Sequence, residues 1–443
     1  MKNILVIGAG RSSSSLIRYL GKHSHKEQWN ITVTDRALHL AQERIEGLEN
    51  CVAVSFNALD ATQREEAISK SDIVISMLPA RFHIEVVKDC IRLKKDIITP
   101  SYVTKEILAL DQEAKDAGII ILNEMGLDPG IDHMSAMKIL DDIRNKGGKM
   151  SLFKSFTGGL VAPESDNNPW NYKFTWNPRN VVLAGQGGAA EFIRNGKYKY
   201  IPYHNLFRRV ETIKIEGFTD FEGYANRDSL KYRKVYGLED IETIYRGTLR
   251  KKGFSKAWDC FVQLGMTDDT YQLQDLEVMT YRDFTNTYLP YSIEKSVEDK
   301  LCKKLSISKD GTVFQKLKWL GIFDSTKVDM DSATPAQLLQ KIMEQKLSLD
   351  NADKDLVAMW HQFVYELDGQ KHRLESHMTV IGDDPIYTAM AKTVGLPIGI
   401  AVKMLTQGTL SLKGVHLPTL KEIYEPILKE LEQYGIVFIE KKM

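Results

Sequence analysis

The first 125 residues alternate short apolar runs with segments in which apolar positions recur at helical spacing, as in "HIEVVKDCIRL". The apolar runs predict β-strands, and the segments between them predict helices. Two strands separated by one helix run parallel, because the crossover helix returns the chain to the same edge of the sheet. The pattern therefore predicts a doubly wound α/β domain of the Rossmann type over 1–127, with ligands at the carboxyl ends of its strands. The predicted strands are Asn3–Ile7, Ile31–Thr34, Val52–Ser55, Ile73–Met77, Ile97–Thr99 and Ile119–Leu122.

The pattern changes beyond residue 127. Segments such as "KMSLFKSFTGGL" and "VETIKIEGF" have strand patterning, and Asp368-Gly369 separates two extended runs, which is a short-range signature of a β-hairpin. We therefore predict an α+β domain with a mixed sheet from 128–230 and 363–385. Between these two segments, 231–362 is predicted to be a mostly helical insertion. The helices predicted in 386–443 are expected to pack back onto the first domain.

The composition excludes several classes of protein. Apolar residues make up 43% of the chain and charged residues 27%, as in ordinary soluble enzymes. Basic and acidic residues each number 59, and this balance argues against a nucleic-acid partner. The four cysteines are scattered without a CxxC pair, so we expect no disulfide framework, no metal site and a reducing, cytoplasmic location. No stretch approaches the ~18 apolar residues of a membrane span, so no membrane partner is expected.

The motif "GAGRSSSS" at 8–15 follows the first predicted strand. Gly8 and Gly10 match the first two glycines of a dinucleotide-binding turn, which permit the tight turn and the close approach of the pyrophosphate. Ser13 stands at the third position, where a small residue serves helix–strand packing. The amides that begin the next helix point at the phosphates, and the serine hydroxyls are expected to add donors. A structural turn that binds nothing is the alternative, but the position of the motif favours nucleotide binding.

The end of the second strand bears on which cofactor binds. Asp35 lies at the position of an acidic residue that accepts hydrogen bonds from the ribose hydroxyls and repels a 2′-phosphate. Arg36 follows it and is suited to pairing with that phosphate or stacking on adenine. We expect NAD or NADP, with NAD slightly favoured. Asp60 and Leu78, after the third and fourth strands, are expected near the adenine and the nicotinamide by topology.

Further motifs fall in a recognisable order along the rest of the chain: "TPSYVT", "NEMGLDPGIDHM", "GGLVAPESDNNPWNYKFTW", "NRDS", "RGTLR" and "TVGLPIGIAVKML". In order and spacing they resemble the saccharopine dehydrogenases that form L-glutamate, and the resemblance runs nearly end to end. It implies an NAD(P)-dependent oxidoreductase of lysine metabolism. Such an enzyme interconverts saccharopine with L-glutamate and 2-aminoadipate 6-semialdehyde. The resemblance also implies a homodimer, with the α+β domain serving substrate binding and dimerisation.

The resemblance also implies which residues form the site. Tyr102 and Asp128 are the candidate proton-transfer residues. The implied substrate contacts are Ser101, Tyr102, Asp128, Arg227, Thr248, Leu249 and Arg250. The complete set of predicted cofactor contacts is Gly8, Gly10, Arg11, Ser12, Ser13, Asp35, Arg36, Asp60, Ala61, Leu78, Leu127, Asp128 and Thr175.

The chemistry of these residues suits a substrate with three carboxylates. Arg227 and Arg250 offer planar forks for bidentate carboxylate binding, whereas the role of Arg246 is left open. The alternative for each arginine is an ion pair with a neighbour such as Asp228 or Glu242, as is common at surfaces.

Three positions need separate comment. In "LDPG" Asp128 is predicted as the N-cap of a helix, with Pro129 at its first position, and the carboxylate is able to serve a ligand as well. His133 is predicted to be a satisfied interfacial histidine rather than a catalyst. Thr157 stands where relatives often carry cysteine. Because a threonine hydroxyl does not ionise near neutral pH, an acid–base role there is in doubt.

Two rival functions remain open. One is a related oxidoreductase acting on another amine, such as a lysine dehydrogenase or a carboxynorspermidine synthase. The other is a non-catalytic NAD(P)-binding sensor. The paired "NRDS" and "RGTLR" motifs favour the substrate with three carboxylates, and a sensor would not need a cluster of arginines and a tyrosine near the nicotinamide.

Overall fold

The computed structural model describes residues 1–226 and 228–443, which form two compact units. The first unit contains Met1–Lys149, Tyr365–His372 and Met378–Lys442, and the second contains Met150–Val364, Arg373–His377 and Met443.

The described residues form strands and helices with the following bounds. The strands are β1 (Lys2–Ile7), β2 (Trp29–Asp35), β3 (Cys51–Ser55), β4 (Ile73–Ser76), β5 (Asp96–Ile98), β6 (Ile120–Leu122), β7 (Lys149–Val161), β8 (Ala190–Arg194), β9 (Lys197–Ile201), β10 (Val210–Ile213), β11 (Phe221–Ala225), β12 (Thr243–Lys251), β13 (Asp355–Leu367), β14 (Gln370–Ile381), β15 (Gly414–His416) and β16 (Ile439–Lys442). The α-helices are α1 (Ser14–Glu27), α2 (Leu38–Ile45), α3 (Ala61–Ser69), α4 (His83–Leu93), α5 (Lys105–Ala109), α6 (Asp111–Ala117), α7 (Ile131–Asn145), α8 (Pro178–Val182), α9 (Tyr203–Leu206), α10 (Tyr232–Val235), α11 (Phe254–Leu264), α12 (Tyr281–Thr287), α13 (Val297–Leu305), α14 (Thr312–Leu320), α15 (Pro335–Leu347), α16 (Ala389–Thr406) and α17 (Lys421–Leu431).

The first unit contains a seven-stranded parallel sheet in the order β15-β6-β5-β4-β1-β2-β3. The strand order reverses at β1, which makes the sheet doubly wound and confirms the predicted fold class. All six predicted strands are present, with ends within two residues of the prediction. The seventh strand, β15, was not predicted, because three residues are too few to show a pattern of their own.

The C-terminal helix α16 packs on α1 within the first unit. A Cβ on Gly395 would lie 2.7 Å from the Leu16 backbone nitrogen, and one on Gly399 would lie 2.5 Å from the Tyr19 ring. Glycine at these positions therefore lets the two helices approach closely. Helix α16 is long and apolar enough to cross a membrane, which is an exception to the expectation from the sequence. Most of it is buried within the unit, as in the core helix of a folded domain.

The second sheet is mixed. Strand β12 pairs parallel with β7 and antiparallel with β11, and five of the sheet's nine strands follow the order β10-β11-β12-β7-β13. Strand β12 lies inside the segment predicted to be mostly helical, and β13 also begins there. The prediction missed β12 because Arg246 and Arg250 interrupt its apolar pattern, although both are buried. The predicted hairpin is present: Asp368 and Gly369 have φ of +52° and +72° and join β13 to β14.

Candidate active site

The glycine loop after β1 has the shape that a dinucleotide pyrophosphate needs. Gly8 has φ +109°, and a Cβ there would lie 3.2 Å from the Met77 carbonyl oxygen, so a side chain is excluded. A Cβ on Gly10 would meet no described atom within 4 Å. The loop therefore leaves open space beside its backbone at the point where a pyrophosphate approaches, and these residues fit a bound dinucleotide.

The serines of the loop form hydrogen bonds within the protein. The Ser13 hydroxyl is buried and donates to the Gly10 carbonyl at 2.8 Å, which stabilises the turn. The Ser14 hydroxyl donates to the Ile386 carbonyl at 2.6 Å. In this structure the Ser13 and Ser14 hydroxyls donate within the protein, and their contact with the phosphates stays a prediction. Contacts of Arg11 and Ser12 with a cofactor remain predictions.

Asp35 ties the glycine loop to the end of β2. Its carboxylate accepts the Ala9 backbone N–H at 2.9 Å through one oxygen and the Ala37 N–H at 3.0 Å through the other. Arg36 is exposed next to it. The Asp35 carboxylate thus holds the backbone of the glycine loop whether or not the ribose of a cofactor is bound. The prediction that it also contacts the cofactor stays a prediction.

The other predicted cofactor residues of the first unit lie on or beside the ends of its elements. Asp60 is the N-cap of α3 and accepts the N–H groups of Thr62 and Gln63 at 3.0 and 3.1 Å. Ala61 is exposed at the start of that helix, and Leu78 is half-buried just after β4. These positions are compatible with ligand contact, which remains a prediction for each of them and for the buried Leu127.

Tyr102 and Asp128 come together at the carboxyl ends of β5 and β6. The Tyr102 hydroxyl donates to Asp128 Oδ1 at 2.8 Å. Both residues are half-buried. A phenol hydrogen-bonded to a carboxylate forms a short path along which a proton can move between a substrate and the protein.

The prediction that Asp128 is an N-cap is wrong. Helix α7 begins at Ile131, and its N-cap is Gly130, with φ +147°. The preceding loop closes on itself, since Gly126 N–H donates to the Pro129 carbonyl and Ile131 N–H donates to that of Gly126, each at 2.9 Å. The residue at the start of α7 is therefore Gly130, two positions beyond Asp128.

Glu124 holds the backbone on both sides of Tyr102. Its N–H donates to the Ser101 carbonyl at 3.1 Å, and its Oε1 accepts the Val103 N–H at 2.9 Å. His133 Nε2 lies 2.7 Å from Glu124 Oε2, and both side chains are fully buried. His133 is thus satisfied by a hydrogen-bond partner, as predicted, and it is fully buried. The role of Glu124 was missed, and its place directly after the sixth strand was the available signal.

Three predicted substrate residues of the second unit, Thr248, Leu249 and Arg250, lie on β12. Thr248 is in register with Thr157 on the parallel strand β7, so the two threonines are neighbours on one face of the sheet. A Cβ on Gly158 would clash with the Leu249 backbone, which explains the glycine that follows Thr157.

Arg250 has no carboxylate within 4 Å in the part of the chain that the structure describes. Its side chain is 4% exposed, and its guanidinium carbon lies 5.2 Å from the Tyr172 ring centre and 5.3 Å from that of Phe254. One guanidinium nitrogen donates to the Leu249 carbonyl at 2.9 Å. Burial raises the pKa of Tyr172 to about 12, so its hydroxyl stays protonated. The ion-pair alternative therefore does not describe Arg250.

Arg246 has a different environment. It is buried, and its guanidinium carbon stacks 4.1 Å from the Tyr232 ring centre. Its backbone N–H donates to the Ser229 hydroxyl at 2.9 Å. Arg227 lies outside the described residues. Thr175 is buried, with no hydrogen-bond partner for its hydroxyl among the residues described.

Comparison with known proteins identifies the family. Two family profiles match: "Saccharopine dehydrogenase NADP binding domain" over residues 4–122 and "Saccharopine dehydrogenase C-terminal domain" over residues 126–436. The chain is 35% identical to the NADP(+)-dependent, L-glutamate-forming saccharopine dehydrogenase of Pyricularia oryzae, with 99% of each chain covered. It is 34% identical to the enzyme of the same name from Schizosaccharomyces pombe, with 98% of each covered.

A solved structure agrees with these relationships. The apo L-glutamate-forming saccharopine dehydrogenase of Saccharomyces cerevisiae superposes with a TM-score of 0.89 at 31% identity, with 100% of both chains covered. The names of these relatives and of the matching N-terminal profile specify NADP, so the expectation that NAD is slightly favoured is not supported. This chain belongs to the saccharopine dehydrogenase family.

Proposed function

We propose that this protein interconverts saccharopine, NADP⁺ and water with L-glutamate, 2-aminoadipate 6-semialdehyde, NADPH and a proton. The observation that carries the proposal is the end-to-end relationship to NADP(+)-dependent, L-glutamate-forming saccharopine dehydrogenases. The Tyr102–Asp128 hydrogen bond at the ligand edge of the first unit's sheet supports it, because the reaction moves protons as well as a hydride.

Tyr102 and Asp128 are the proposed proton-transfer pair. A bound nicotinamide dinucleotide supplies the hydride acceptor for the substrate carbon that bears the secondary amine. Asp128 accepts a proton from that amine, directly or through the Tyr102 hydroxyl. Water adds to the carbon of the resulting imine and gives a carbinolamine. The pair takes the proton of the new hydroxyl group and returns one to the nitrogen, so the C–N bond breaks and the semialdehyde and glutamate leave. Thr157 contributes a hydroxyl that hydrogen-bonds but does not ionise.

Arg227 and Arg250 are proposed to bind saccharopine carboxylates, with Ser101, Thr248 and Leu249 as further contacts. A buried guanidinium without a carboxylate partner is suited to this task, because a substrate carboxylate would satisfy it by charge-assisted hydrogen bonds. Arg250 has this environment.

NADP is the proposed cofactor, and Arg36 the residue that recognises its 2′-phosphate. Arg36 is exposed directly after β2, whereas the neighbouring Asp35 carboxylate already accepts two backbone N–H groups. Arg36→Ala is expected to raise the KM for NADP about tenfold and to leave the KM for NAD within about twofold, since only NADP carries the phosphate. Equal changes with both cofactors would remove Arg36 from this role.

The function is tested by incubating the purified protein with saccharopine and either NADP⁺ or NAD⁺. Formation of the reduced cofactor together with glutamate, faster with NADP⁺, is the expected result. The reverse reaction supplies glutamate, the semialdehyde and NADPH, and saccharopine is measured by mass spectrometry. Oxidation of lysine in place of saccharopine would favour a lysine dehydrogenase. Cofactor binding without oxidation of saccharopine or lysine would favour a non-catalytic NAD(P)-binding sensor.

A cytoplasmic homodimer is proposed for the cellular form. The four cysteines are free thiols, as a reducing compartment requires. Sedimentation of the purified chain at several concentrations tests the dimer.

A further inference from the structure

His83 is a buried histidine that the mechanism above does not use. It is the first residue of α4 and is 1% exposed. Its Nδ1 lies 2.8 Å from the Ser76 hydroxyl oxygen, and its Nε2 lies 2.7 Å from that of Ser101. Ser76 ends β4, and Ser101 follows β5, so the ring joins two neighbouring strand ends. Thr99 completes the group: its hydroxyl oxygen is 3.2 Å from Nε2 and accepts the Ser101 N–H at 3.3 Å.

The ring fixes how the Ser101 hydroxyl is oriented. Burial lowers the pKa of His83 to about 4, so the imidazole is neutral at physiological pH. A neutral imidazole has one nitrogen that donates and one that accepts. Consequently one of the two serine hydroxyls donates to the ring and the other accepts from it. In either case the ring holds the Ser101 hydroxyl oxygen 2.7 Å from Nε2, so the position of that hydroxyl depends on a residue outside the substrate contacts.

We propose that His83 is a positioning residue that holds the Ser101 hydroxyl in the orientation in which it meets saccharopine. The inference rests on the proposed function, because that function makes Ser101 a substrate contact. Under this proposal, three side chains are hydrogen-bonded in series, Ser76, His83 and Ser101, and only Ser101 contacts the substrate. Loss of the ring weakens saccharopine binding, whereas cofactor binding is unchanged.

Two amide substitutions separate the two ends of the ring. The amide of asparagine lies as many bonds from Cα as Nδ1 does, and the amide of glutamine as many as Nε2 does. His83→Asn therefore keeps a partner for Ser76 and removes that of Ser101, whereas His83→Gln keeps a partner for Ser101. We expect His83→Asn to raise the KM for saccharopine about fivefold, the effect of one hydrogen bond, and His83→Gln to stay within about twofold. The KM for NADP⁺ is expected to be unchanged in both variants.

Combination with Ser101→Ala distinguishes positioning from a general structural effect. If His83 acts through Ser101, adding His83→Asn to Ser101→Ala raises the saccharopine KM no further than Ser101→Ala alone. Additive effects, or equal effects of the asparagine and glutamine variants, would overturn the proposal. Thermal unfolding of both variants is measured in parallel, because a purely structural residue lowers Tm without this KM pattern.

Ser76→Ala provides a test that still applies if the histidine variants do not fold. Ser76→Ala leaves the ring in place and removes its other partner, and we expect a two- to threefold rise in saccharopine KM, on the order of half the energy of one hydrogen bond. An unchanged KM in Ser76→Ala, when the histidine variants do not fold, would also overturn the proposal. Failure of the wild-type protein to oxidise saccharopine would instead reject the proposed function, so the two failures are distinct.

Discussion

Two regions differ in how their buried polar atoms are satisfied: residues 101–103 with 124–133 of the first unit, here the first region, and the surroundings of Thr157, Tyr172 and Arg250 in the second unit, here the second region. In the first unit, Glu124 accepts the Val103 N–H and lies 2.7 Å from His133 Nε2. In the second unit, the Thr157 and Tyr172 hydroxyls and Arg250 Nε are buried, with no hydrogen-bond partner among the described residues. Both regions carry predicted site residues.

This difference in hydrogen bonding suits the first region to holding side chains in place and the second to binding a ligand. A buried polar atom without a partner costs about 1–3 kcal/mol, so a fold retains such atoms only where something else offsets the cost. A satisfied network, in contrast, fixes its side chains before any ligand arrives. We therefore expect changes to Asp128 or His133 in the first region to affect kcat or folding, and changes to Thr157 or Arg250 in the second to affect the KM or kcat/KM for saccharopine.

Asp128→Asn tests the first region and has the largest expected effect. The amide keeps the size of the side chain but does not take a proton, so kcat should fall about 100-fold or more, as for loss of a general acid–base group. Steady-state kcat with saccharopine and NADP⁺ measures it. Asp111→Asn changes an exposed carboxylate of the same unit and serves as the control, with kcat close to wild type. A kcat within threefold of wild type in Asp128→Asn would remove Asp128 from proton transfer.

His133→Ala tests whether the satisfied network holds the loop. It leaves a fully buried Glu124 oxygen without its histidine partner, and the free energy of unfolding should fall by about 2–3 kcal/mol. Urea unfolding measures the change. His25→Ala, an exposed histidine on α1, is the control and should cost less than about 0.5 kcal/mol. Equal losses in the two variants would contradict a special role for the buried pair.

The two sheets also differ in how far the sequence predicts them. The first six strands of the first unit are short apolar-rich runs separated by helices, so their presence and approximate ends follow from periodicity, whereas the three-residue β15 does not. Strand β12 carries Arg246 and Arg250 at buried positions, and burial of an arginine depends on ring partners that are distant in sequence, such as Tyr172. The hydrophobic pattern near residue 250 therefore does not reveal that this arginine is buried.

Site residues were predictable where a short sequence motif determines the local backbone conformation. Gly8 is required by the turn, because its φ is +109°, and Gly10 leaves open space for a pyrophosphate, so that part of the prediction needed no tertiary information. The capping role expected of Asp128 was wrong because the loop before α7 closes through backbone bonds instead. His83 and Glu124 were missed because their partners are 7 to 21 residues away, and no single motif includes both ends of the contact.

Arg250→Leu tests the second region. Loss of the guanidinium should raise the KM for saccharopine at least about tenfold, or 1.4 kcal/mol, and leave NADP(H) affinity near wild type. Arg250→Lys keeps the charge but not the planar fork, so it should recover only part of the loss. Initial rates at varied saccharopine and a separate cofactor titration give both values. An unchanged saccharopine KM in the leucine variant would exclude Arg250 from the site.

Thr157→Val has the smallest expected effect and separates the two regions most directly. Valine has nearly the shape of threonine without its hydroxyl, and that hydroxyl is buried without a partner among the described residues. Removal of an unpaired polar group should raise the free energy of unfolding by about 0.5–1 kcal/mol. If the hydroxyl serves the substrate, kcat/KM for saccharopine should fall about three- to fivefold in the same variant.

Thr157→Ser is the matched control, because it keeps the hydroxyl and removes only a methyl group. It should retain kcat/KM and lose a little stability through the lost methyl packing. Opposite signs for stability and activity in the valine variant are the expected signature of a polar group that serves a ligand rather than the fold. A valine variant that is both less stable and fully active would contradict this proposal. It would show that the Thr157 hydroxyl stabilises the fold, as the Glu124–His133 contact does in the first region.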